Sequence, residues 1–182
     1  ERVAELRPGY VVDAELSWTD GEARFADLTI AERTLLSFVD GATGLFEAAL
    51  DAMEDARREN LAVTSQVTHD ADRRPVGALY AFADAGAGDV FDEFRRGTRP
   101  LEPLFDRAAE GESPPFEAFV FRPVDHDFVL VYVVFEKGSL LADTVRDTYD
   151  APRPDESGSE SDSPAPPPSE SSGEFDAFDA LE

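Results

Sequence analysis

Histidine, arginine and glycine-flanked loops are the residues in this chain that could do chemistry. The two histidines both sit beside acids, His69 before Asp70 and Asp72, and His126 between Asp125 and Asp127. A carboxylate next to an imidazole can raise its pKa or orient it as a base. Two such turns brought together could also hold a metal, so His69 and His126 are weak metal candidates. The competing account is that both lie in hairpin turns, which collect His, Asp and Pro for their backbone geometry. Arg95, Arg96 and Arg99 form a second constellation, and the pair Arg73 and Arg74 a third. Planar guanidinium forks suit phosphate, a nucleic-acid backbone or an acidic partner, which makes these five residues the anion-binding candidates. Intramolecular pairing with neighbouring acids is the simpler account.

Two glycine-containing loops, Asp40 to Gly44 and Gly86 to Gly88, precede expected helices. Bare amides at a helix start can hold an anion. Neither loop has a phosphate-loop pattern, and Asp89 sets a competing carboxylate beside the second. Ser17, Ser37, Ser65 and Ser139 lack the Gly-x-Ser-x-Gly elbow of a serine nucleophile. The absence of cysteine excludes disulfides, thiolate catalysis and Cys-ligated zinc. No cofactor is predicted and no catalytic residue is assigned, so the residues favour binding over catalysis without excluding an enzyme.

These residues sit in a chain of unusual charge. Its 182 residues carry 40 Asp plus Glu against 16 Lys plus Arg, a net of -24. Lys137 is the only lysine. Acid-rich, lysine-poor composition points to work in concentrated salt, which screens the self-repulsion of so high a charge. Pro154 to Glu182 holds nine acids and no bases, so the remainder carries 31 acids against 16 bases, a net of -15. Nucleic acid is a poor partner for such a surface. The longest apolar stretch, Phe128 to Phe135, is far below the ~20 residues of a membrane helix. A cytoplasmic location is expected, with no membrane partner. The chain opens on Glu1 rather than methionine, as a fragment would.

The elements that must position the candidate residues follow from periodicity. Tyr10, Val12, Ala14, Leu16 and Trp18 alternate with Val11, Asp13, Glu15 and Ser17, which predicts a half-buried strand. Asp20-Gly21 supplies a hairpin turn. The return strand, about 22–30, slips phase between Phe25 and Leu28, which predicts a bulge. A third strand spans about 33–39, and a helix to about Arg58 carries Leu45, Phe46, Ala49, Leu50 and Met53 on one face. Two further units repeat the order of hairpin, then helix: strands near 61–68 and 76–83, and strands at 116–122 and 128–136. Helices are predicted around Phe91 and Phe94, from Leu101 to Ala108, and after the capping Ser139. Phe128 to Phe135, apolar on both faces, belongs at the centre of the sheet. The expected fold class is α+β, a mostly antiparallel sheet with helices packed on one face. The domain expected is 1–150.

Beyond it, 151–173 is rich in Pro, Ser and acids and is expected to be a disordered linker. Residues 174–182 differ, because Phe175, Phe178 and Leu181 recur every third position and would share one face of a short helix. They are the partner-binding candidates, a linear motif for an unknown protein partner in the helix-in-groove mode.

The segments Leu6-Arg7-Pro8-Gly9-Tyr10-Val11-Val12-Asp13-Ala14, Leu16-Ser17-Trp18 and Phe38 through Ala48 carry a likeness. Arg99 through Leu104 and Leu141 through Asp150 carry it further. Over about 6–150 the chain resembles a haloarchaeal domain-of-unknown-function family. The resemblance implies a salt-adapted host and transfers no catalytic role. It also implies sequence before Leu6 that this chain would lack.

Overall fold

The computed structural model describes residues 2–83 and 89–156. The chain runs β1 (Val11–Thr19), β2 (Glu22–Glu32), β3 (Leu35–Ala42), α1 (Glu47–Glu59), β4 (Val63–His69) and β5 (Pro75–Ala83). It continues with α2 (Val90–Arg95), α3 (Glu102–Ala109), β6 (Glu117–Pro123), β7 (Phe128–Val134) and α4 (Leu140–Tyr149). The fold is α+β. Five strands make the main sheet in the order β3-β6-β7-β5-β4, while β1 and β2 form a separate two-stranded sheet. All pairings are antiparallel except β3 with β6.

The apolar run from Phe128 occupies the centre of the sheet as its two-sided pattern requires. Helices cover both faces rather than the one face expected. Leu79, Ala81, Phe119, Phe121, Leu130 and Tyr132 pack against α1 and α4. Their neighbours Ala78, Tyr80, Phe82, Val120, Val129 and Val131 pack against α2 and α3. The physical reason lies in β5, β6 and β7, whose side chains are apolar at both parities. A sheet with two greasy faces needs two covers.

Helix ends follow local chemistry. The Ser139 hydroxyl accepts from the Ala142 amide at the start of α4, and the Asp89 carboxylate accepts from the Asp92 amide at the start of α2. The packed chain also runs past the boundary expected at 150. Ala151 is buried, the Arg153 guanidinium reaches Glu117 and Asp143, and Glu156 meets Lys137 and Tyr10. The rest of the expected linker, 157–173, lies outside the described residues.

Candidate interaction surface

The β1–β2 hairpin is an amphipathic arm. Asp20 and Gly21, both at positive φ (54° and 83°), make its turn. Cross-strand partners share a face. Val12 faces Ile30, Ala14 faces Leu28, Leu16 faces Phe25 and Trp18 faces Ala23. The opposite face pairs Asp13 with Thr29, Glu15 with Asp27, Ser17 with Arg24 and Thr19 with Glu22. The predicted bulge sets this segregation. The register shifts between Glu15 and Leu16, leaving Ala26 as the extra residue. In unbroken register Trp18 would face Arg24; the bulge returns Phe25 and Ala23 to the apolar side.

Only the root of that apolar face is covered. Leu28 is buried, and Val12 and Ile30 are half-buried. Further out, Leu16 is 51% exposed, Phe25 54% and Trp18 71%. The half-buried strand expected from alternation is therefore an exposed one. Its alternation is real, but no element of the described chain lies on its distal half.

The root is clamped by the C-terminal end of the described chain. Arg7 donates through Nε and Nη2 to the Asp155 carbonyl, at 3.0 and 2.7 Å. The Tyr10 hydroxyl donates to the Glu156 carboxylate, which also accepts from Lys137 Nζ at 2.7 Å. Arg33 and Lys137 both stack over the Tyr10 ring, at 5.5 and 5.7 Å. Burial pushes the Glu156 carboxyl up, but the Lys137 ammonium and Tyr10 hydroxyl outweigh it and hold the carboxyl below its usual value. Burial and the same carboxylate push the Tyr10 phenol up. Gly9 makes this joint possible. It adopts φ +97°, and a Cβ there would lie 2.7 Å from the Thr34 carbonyl oxygen.

Behind the clamp lies a buried ionic node. Glu117 is fully buried in β6 and Arg146 is 6% exposed in α4; they form an ion pair through Oε1 and Nε. Arg146 Nη1 also donates to Ser37 Oγ (3.2 Å) and to the carbonyls of Ala151 and Pro152 (both 3.0 Å). The second Glu117 oxygen accepts from the Gly138 amide at 2.9 Å. This node fastens 151–153 to the sheet and so delivers the chain to the arm.

Four of the five anion-binding candidates lie against a nearby acid. Arg95 Nη2 lies 2.7 Å from Asp92, Arg96 Nη2 3.2 Å from the same carboxylate, and Arg99 Nε 2.8 Å from Glu93. Arg74 lies 3.7 Å from Asp72, and Arg73 is a positive-φ turn residue. Local pairing is therefore the arrangement these arginines adopt. His69 and His126 do not meet. His69 faces Pro75 at one end of β5, whereas Phe128, just after His126, faces Ala83 at the other. Eight residues of strand separate those ends, roughly 26 Å. A shared metal site is thereby ruled out, and no group of three potential metal ligands occurs among the described residues. The Gly86–Gly88 turn and the motif Phe175, Phe178 and Leu181 lie outside the described residues.

Sequence reasoning missed Arg122. It binds Asp40 through two nitrogens, donates to Asp89 at 2.7 Å and stacks on Phe91 at 4.6 Å. It thereby ties the end of β3 to the start of α2, and holds the Asp40 carboxyl below its usual range. Asp40 and Arg122 are 82 positions apart, so no local pattern could link them. A groove of about 390 Å³ lies beside β4, β5 and α3, lined by Gln66, Tyr80, Arg107 and Phe135 among others.

The comparisons with known proteins give a family and no function. A model of a family of unknown function (DUF6663) matches residues 1–154, and the chain belongs to that family. No curated protein and no solved structure matches it. No helix of the described residues is long and apolar enough to cross a membrane.

Proposed function

We propose that this member of a family of unknown function is a binding module, an adaptor of a salt-rich cytoplasm, whose docking surface is the distal apolar face of the β1–β2 arm. The observation that carries this is the exposure of Leu16, Trp18 and Phe25 together on one face of an otherwise ordered hairpin. An isolated two-stranded hairpin is marginal in water. An arm that keeps two aromatic side chains in solvent gains stability when something covers them.

The size of the face selects the class of partner. Aromatic side chains bring 150–250 Å² each and leucine somewhat less, so the stated exposures amount to roughly 350 Å² of open apolar surface. A stable interface between two folded surfaces needs about 800 Å² per partner. A short peptide segment offering two or three apolar side chains fits the smaller figure. The acidic polar face of the arm keeps its back in water and gives the segment one way to lie.

Trp18 is the only tryptophan in the chain, so its emission reads the face directly. The test titrates the full chain, carrying Phe175→Ser, Phe178→Ser and Leu181→Ser, with a neutral nine-residue peptide. That peptide has apolar side chains at every third position and glutamines between. Binding in molar KCl should move Trp18 emission to shorter wavelength, and Leu16→Ser with Phe25→Ser should remove the response. Emission that stays constant up to millimolar peptide contradicts the reading.

A further inference from the structure

We infer that the arm's occupant is the chain's own C-terminal segment 174–182, with Phe175, Phe178 and Leu181 laid against Leu16, Trp18 and Phe25. This deepens the proposed function and rests on the arm being a docking surface. Three observations select this segment over a second copy or a foreign one.

The first is where the described chain ends. Asp155 and Glu156 are bonded to Arg7 and Tyr10, immediately before β1. The tail therefore starts at the root of the arm and not across the molecule from it. The second is length. From Tyr10 to Trp18 is eight residues of strand, about 26 Å. Seventeen residues, 157–173, separate the anchor from Glu174. A coil of that length has an end-to-end distance of roughly 20–25 Å, and an extended polyproline run reaches about 50 Å. A tether whose length matches its span gives the highest effective concentration, in the millimolar range. The third is chemistry. The motif offers three apolar anchors, the number the small open face accommodates, and the face is too small for a stable dimer. The motif's acids, Glu174, Asp176, Asp179 and Glu182, would remain in solvent, where concentrated salt screens them from the acidic back of the arm.

The consequence is a self-capped adaptor. An outside peptide must displace the tail, so its apparent affinity falls by the effective concentration divided by the tail's own dissociation constant. With a millimolar tether and a short-peptide dissociation constant near 0.1 mM, the penalty is about tenfold.

The experiment compares the full wild-type chain with the full chain carrying Phe175→Ser, Phe178→Ser and Leu181→Ser. Trp18 emission and acrylamide quenching are read in molar KCl over a hundredfold range of protein concentration. The wild type should emit at shorter wavelength and be better shielded at every concentration. It should also bind the neutral nine-residue peptide about tenfold more weakly than the variant. Identical emission and equal peptide affinity in the two chains overturn the self-capping while leaving the arm as a docking surface. A wild-type shift that disappears on dilution overturns it in favour of a second copy. Failure of both chains to bind the peptide removes the docking surface itself.

Discussion

Replacing Arg146 with methionine would leave Glu117 as a fully buried carboxylate at the start of β6, stripped of its main partner. The side chain of Arg146 is 6% exposed and that of Glu117 is fully buried, so neither charge is solvated in the native state. Methionine keeps much of the apolar contact with Phe119, over which the guanidinium now stacks at 5.0 Å. It gives up the ion pair and the three Nη1 hydrogen bonds to Ser37, Ala151 and Pro152. What remains to Glu117 is the Gly138 amide at 2.9 Å and Arg153 at 3.3 Å, itself 39% exposed. Removing one partner of a buried pair costs about 3–5 kcal/mol. The surviving contacts place this case near the lower end, about 3 kcal/mol. Replacing both charges, Glu117→Leu with Arg146→Met, removes the stranded carboxylate and should recover most of the loss, with a coupling energy of about 2–3 kcal/mol. Urea unfolding in molar KCl followed by far-ultraviolet circular dichroism gives these values; Trp18, out on the arm, would not report the core. A single variant within 1 kcal/mol of wild type, or a double variant as unstable as the sum of the singles, refutes the reasoning.

Three further outcomes are expected. Gly9→Ala forces a Cβ to 2.7 Å from the Thr34 carbonyl at φ +97° and should lower stability by more than about 1 kcal/mol; an unchanged melting temperature would contradict this. Because Glu156 has a folded pKa below its usual 4.5, its contact is fully formed above that value and is lost as the pH falls through the lowered one. Amide protection factors at 151–156, which divide out the intrinsic slowing of exchange in acid, should therefore fall as the pH drops, and Glu156→Gln should abolish that change. Glu15 faces Asp27 directly across the arm, so lowering KCl from molar to about 0.1 M should speed amide exchange in β1 and β2. Glu15→Arg should blunt that salt response, and an arm equally protected at both salt levels would count against it.

Local signals carried most of the elements. The alternation from Tyr10 to Trp18, the phase slip after Phe25 and the two-sided run from Phe128 each specify their strand, their bulge and their central place, because those properties depend on near neighbours. What could not be read locally is long-range. β3 pairs with β6 across some eighty residues, and the covering of both sheet faces depends on where α2 and α3 cross. The signal for two covers was present in β5, β6 and β7, all apolar at both parities. Glu117, an acid inside an otherwise apolar run from Phe116 to Phe121, likewise pointed to a buried partner without naming Arg146. The arm is the instructive case. Alternation correctly predicts an amphipathic strand, yet whether its apolar face is covered depends on what lies opposite. The arginines at 95, 96 and 99 look like a cationic cluster in sequence, but Arg95 and Arg96 share Asp92 and Arg99 pairs with Glu93.

The measurement closest to the central claim is a nitrogen-15 correlation spectrum of the full chain with its three tail apolar residues changed to serine, titrated with the unlabelled 174–182 peptide in molar KCl. Docking on the arm predicts saturable shifts at Val12, Ala14, Leu16, Trp18, Ala23 and Phe25, including the Trp18 indole, with the main sheet quiet. Shifts centred on Gln66, Tyr80 and Arg107 instead, or no shifts at millimolar peptide, would contradict it.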